Sequence, residues 1–115
     1  MAGPANKNGR ARAETLVDLY ERAGYQRAEP DILQPADVFL ELSGEELRRR
    51  LSLTSDSCGV ELCLRPDLTI PVCRMHLAND AASRAANYCY LGHVFRDRGG
   101  GSGEYLQAGI ESLGR

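Results

Sequence analysis

The feature that most constrains this chain is an alternation of side-chain types from Tyr88 to Leu113, interrupted once by the run GGGSG at 99–103. Strand side chains point to opposite faces in turn. In a first strand Tyr88, Tyr90, Gly92, Val94 and Arg96 therefore share one face, and Cys89, Leu91, His93 and Phe95 share the other. After the glycines, Tyr105, Gln107, Gly109, Glu111 and Leu113 lie on one face of a second strand, with Leu106, Ala108, Ile110 and Ser112 on its reverse. A face carrying Gln107, a glycine and Glu111 in succession covers a core poorly. It suits the floor of a polar ligand site, where glycine lets the ligand approach the backbone. The glycine run itself is the tip of a hairpin. A phosphate loop would need a lysine and a following helix N-terminus, and an alternating strand follows instead.

Length and composition fit one globular domain: 115 residues with 43% apolar content. A formal charge of −2 and a pI near 5.7 provide no general attraction to nucleic acid or to an anionic membrane. No apolar run reaches the roughly 20 residues of a membrane span. The opening MAGPANKNGRARAE has no apolar segment that would serve as a secretion signal, so residues 1–10 are expected to be a disordered tail, residues 11–115 the domain, and the location cytoplasmic. Cys58, Cys63, Cys73 and Cys89 lack Cys-x-x-Cys spacing and are expected to be free, mostly buried thiols. No metal or cofactor is expected.

In chain order, Leu16, Leu19, Tyr20 and Ala23, with Ala13 and Val17 alongside, form the stripe of an amphipathic helix that Gly24 ends. Tyr25 to Leu33 reads as extended and broken by Pro30. Pro35 opens a short helix with Val38, Phe39 and Leu42 inward, and Ser43 with Glu46 forms a capping box for another through Arg50. Arg48, Arg49 and Arg50 suit the C-terminal end of that helix better than a nucleic-acid patch. Leu51 to Thr54, the turn string SDSCG, and alternating Val60, Leu62 and Leu64 predict a β-hairpin. Asp67 or Thr69 caps a helix with Pro71 in its first turn and Ile70, Cys73 and Leu77 inward; Ala78 to Ala86 is a helix tail or connector. His93, alternating with apolar neighbours, reads as a hydrogen-bonded core histidine. No serine, histidine and acid form a nucleophile set.

Asp67, Thr69, Arg96, Gln107 and Glu111 remain as candidate binding residues. The carboxylates and amide suit an ammonium or imidazole, and Arg96 suits a carboxylate gripped as a fork, so the set fits a zwitterion.

The strings LCLRPDLTIPVCR (62–74) and YLGHVFRDR…GEYLQAGIESLG (90–114) resemble the histidyl-tRNA synthetase core, and more closely the synthetase-like regulatory subunits of ATP phosphoribosyltransferase in histidine biosynthesis. The likeness spans nearly everything from Ala13 onward. It implies an α+β fold, an antiparallel class II synthetase-type sheet flanked by helices, and a dimer built partly through the first motif. It also implies histidine-binding roles: Asp67, Thr69 and Gln107 on the amino group, Arg96 from the second motif, and Glu111 facing the imidazole.

Three departures bear on which branch this chain follows. Synthetases carry basic residues in the hairpin loop and the start of the next strand, whereas this chain has none between Arg98 and Arg115. Asp31 stands near the place of the first-motif proline, and the third motif lies beyond Arg115, so the chain is expected to be an N-terminal part of a longer protein. The resemblance thus implies a non-catalytic subunit that partners a short-form catalytic subunit and carries histidine feedback. A histidyl-tRNA synthetase is the alternative.

Overall fold

The computed structural model describes residues 4–42, 49–79, 84–97 and 103–114. The Ser43–Glu46 capping box, most of the glycine loop and the middle of the 78–86 connector lie outside these.

Helix α1 spans Pro4–Arg22. It therefore begins well inside the segment expected to be a disordered tail. Proline needs no amide partner in a first turn, and the alanines, lysine and arginines that follow favour helix. Its buried seam is also rotated from the expected stripe. Val17 is wholly buried with Ala13 and Tyr20 beside it at helical spacing, whereas Leu16 and Leu19 are 39% and 54% exposed. The helix ends as expected at Gly24, whose φ is 101°. The Gly24 amide donates to the Glu21 carbonyl, and the Tyr25 amide reaches back to Tyr20 at 3.0 Å. This is the Schellman arrangement, completed by the rings of Tyr20 and Tyr25 at 5.8 Å.

Two three-stranded sheets follow. In the first, β1 (Gln26–Arg27) pairs in parallel with β5 (Ala86–Phe95), and β5 pairs antiparallel with β6 (Glu104–Leu113). The β5–β6 ladder runs unbroken from Ala86 opposite Leu113 to Phe95 opposite Glu104, as the alternation predicts. In the second sheet, β2 (Leu33–Pro35) and β3 (Leu53–Ser55) flank β4 (Glu61–Leu64), both antiparallel. The expected hairpin is β3–β4. Its tip is fixed by Asp56, whose carboxylate accepts the amides of Cys58 at 2.8 Å and Val60 at 2.9 Å. Helix α2 (Ala36–Leu42) packs Ala36 and Phe39 against Leu51 and Cys63 under this sheet.

Helix α3 (Thr69–Leu77) packs on the first sheet, where Leu68 and Val72 meet Tyr88, Tyr90 and Val94. Its expected inward stripe of Ile70, Cys73 and Leu77 is displaced. Pro71, Val72 and His76 are buried, and Leu77 is 69% exposed. The reason is a polar contact that apolar spacing does not register. His76 Nδ1 lies 2.9 Å from the Tyr88 hydroxyl, with the rings edge to face. His76 is thus the hydrogen-bonded core histidine. His93, assigned that part from its apolar neighbours, keeps 41% of its side chain exposed and faces Glu104 at 3.9 Å.

Arg65 joins the two sheets. Its backbone amide donates to Ile32 and its carbonyl accepts from Phe95. Its buried side chain donates from Nε to the His93 carbonyl at 2.7 Å and from Nη1 to the Pro30 carbonyl at 2.6 Å. Burial pushes the guanidinium down from its ordinary pKa. A lysine can reach only one of these carbonyls, and the other becomes a buried acceptor without a donor. Arg65→Lys in the full-length protein is expected to cost about 2–4 kcal/mol, read as a lower urea midpoint with unchanged slope.

All four cysteines are free, with Cys63 and Cys89 buried. Burial first, then the charge of Glu61, pushes the Cys63 thiol up to about 11. A raised folded-state pKa gives stability that is full below an ordinary thiol's value and is lost as pH climbs through the folded value. The urea midpoint is therefore expected to fall between about pH 9 and 11, and to fall less steeply in Cys63→Ala.

Candidate functional site

The β5–β6 register sets Gly92 opposite Gln107, Tyr90 opposite Gly109 and Tyr88 opposite Glu111, so all six share the face turned toward α3. The segment entering α3 runs across this face. The carboxylate of Asp67 accepts the Ile70 amide at 3.1 Å. Thr69 opens the helix, exposed to solvent. Of the two caps expected from the sequence, Asp67 makes the bond. Leu68, the residue at the boundary, donates its own amide to Gln107 Oε1 at 2.8 Å.

That last bond changes what Gln107 can offer. An amide proton requires the oxygen of the carboxamide, so the free end of Gln107 is its NH2 group, a donor. Gln107 was expected to help hold an ammonium; its oxygen takes the Leu68 amide on one lone pair and keeps a second, and its NH2 group can meet an acceptor as well.

Tyr90 was not among the candidate residues, yet it occupies the centre. Its hydroxyl donates to Glu111 Oε1 at 3.4 Å. Its ring lies across Gly109, where an added Cβ would stand 2.7 Å from the hydroxyl oxygen and 2.9 Å from Cζ. A signal for it was present in the sequence: an aromatic residue directly across a strand pair from a glycine commonly fills the glycine's place. The phenol is held above its usual pKa, chiefly by burial, with the charges of Glu111 and Asp67 adding to it and the Thr69 bond opposing. The half-buried Cys73 thiol is raised too, by burial and then by Glu111 and Asp67. In both, burial is the larger cause, and Glu111 and Asp67 add a smaller one of the same sign.

Arg96 stands apart. It shares the face, but four residues of strand, about 13 Å, separate it from the position opposite Gln107. Its Nε donates to the Pro66 carbonyl at 2.8 Å, which leaves the outer nitrogens of its fork for a ligand. The structure therefore gathers Asp67, Thr69, Gln107 and Glu111 around Tyr90 and puts Arg96 at the far end. The shelf is open. Two clefts stand beside it, one of about 310 Å³ between β2 and α3 and one of about 220 Å³ next to Arg96, and neither is lined by Asp67, Gln107 or Glu111. Among the described residues no group of acids, cysteines and histidines could hold a metal ion.

A polar shelf on an antiparallel pair, covered by a helix whose N-cap amide bonds back to the strand, belongs here to a class II aminoacyl-tRNA synthetase-like core. A structure from Bacillus halodurans described as an ATP phosphoribosyltransferase regulatory subunit/histidyl-tRNA synthetase superposes with a TM-score of 0.79 over 97% of this chain and 30% of its own, at 23% identity. Residues 3–115 match the histidyl-tRNA synthetase family, and the chain belongs to it. It is similar to proteins named ATP phosphoribosyltransferase regulatory subunit: 57% identical over 98 residues to that of Brucella ovis, and 48% over 102 residues to that of Allorhizobium ampelinum. These alignments take in 85% and 89% of this chain but 26% and 27% of the relatives, so the chain spans about a quarter of their length.

Placing a methyl group on Gly109 would force Tyr90 off the strand. Gly109→Ala is expected to destabilise the full-length protein by about 1–3 kcal/mol. The same change in a Tyr90→Leu background should cost much less, a coupling that a double-mutant cycle of thermal or urea unfolding measures.

Proposed function

We propose that this chain is part of a regulatory subunit of ATP phosphoribosyltransferase, without catalysis of its own, that enables a short-form catalytic subunit and carries feedback by histidine. The observation behind this reading is the unequal state of the two halves of a synthetase-type site. Asp67, Thr69, Gln107 and Glu111 form a polar shelf suited to an amino acid, with Arg96 at its far end. The nucleotide half is depleted. Activating an amino acid with ATP requires positive charge held against the phosphates, and no lysine or arginine stands between Arg98 and Arg115. The names of the relatives support the same reading.

Regulation in this sense is a coupling free energy between the shelf or a subunit interface and an active site on the partner. The decisive assay measures phosphoribosyl transfer by a short-form catalytic subunit with and without the full-length protein. Turnover is expected to depend on the addition and to fall when histidine is present; equal rates with and without it would overturn the proposal. By calorimetry the full-length protein is expected to bind histidine, and Asp67→Asn and Glu111→Gln each to weaken binding about tenfold or more, the scale of one charged hydrogen bond. Family membership gives the second reading its footing, a histidyl-tRNA synthetase. Histidine-dependent exchange between ATP and pyrophosphate would favour it.

A further inference from the structure

We draw no further inference here: the strongest candidate, the cleft of about 310 Å³ between the free edge of β2 and helix α3, with Asp31, Leu33, Arg74 and Met75 on its walls, restates the pairing of two copies through the first motif that the family resemblance already implies.

Discussion

One buried guanidinium holds the architecture together. Arg65 is 7% exposed and has no carboxylate partner among the described residues; its charge is dispersed over the backbone carbonyls of Pro30 and His93. An arginine suits this place because its planar fork addresses two fixed acceptors in different directions, which a flexible ammonium cannot do. With its own backbone bonded to Ile32 and Phe95, the residue fixes where the β2–β4–β3 sheet meets the β1–β5–β6 sheet. The path of the next four residues follows from that junction. Pro66 reaches Arg96, and Leu68 reaches Gln107. The polar shelf is thus the continuation of a structural staple, and its geometry is inherited from it.

Local periodicity made the paired strands β5 and β6, the β3–β4 hairpin and the glycine stop of α1 legible in the sequence, because each is governed by neighbours in the chain. The long-range polar contacts were not legible. His93 and His76 both have apolar neighbours in the chain, yet His76 is the buried one, since a tyrosine twelve residues away is there to meet it. The same contact turned the buried face of α3 away from Ile70, Cys73 and Leu77. Arg65 read as no more than the end of a strand before a proline. The division into two sheets was hidden for a similar reason: β1 and β2 have two and three residues, too few for a periodic pattern.

The candidate residues were legible as a set but not in their parts. Alternation placed Gln107 and Glu111 on one face, and the register bears that out. It could not show that the oxygen of Gln107 is taken by the Leu68 amide, nor that Tyr90 lies between Thr69 and Glu111. Both facts depend on how α3 crosses the strands. The electrostatic character of the shelf emerges only there as well, where two carboxylates from separate parts of the chain act together on one phenol and one thiol.

The bond from Leu68 to Gln107 has a methodological corollary. One carboxamide closes the first turn of a helix and also borders the place a ligand would occupy, so folding and recognition draw on the same atom. Substitutions at Gln107 will blend two quantities in a single affinity value, and only parallel unfolding data can separate them. Occupancy of the shelf, conversely, should slow hydrogen exchange at the Leu68 amide, making that proton a native reporter that requires no label.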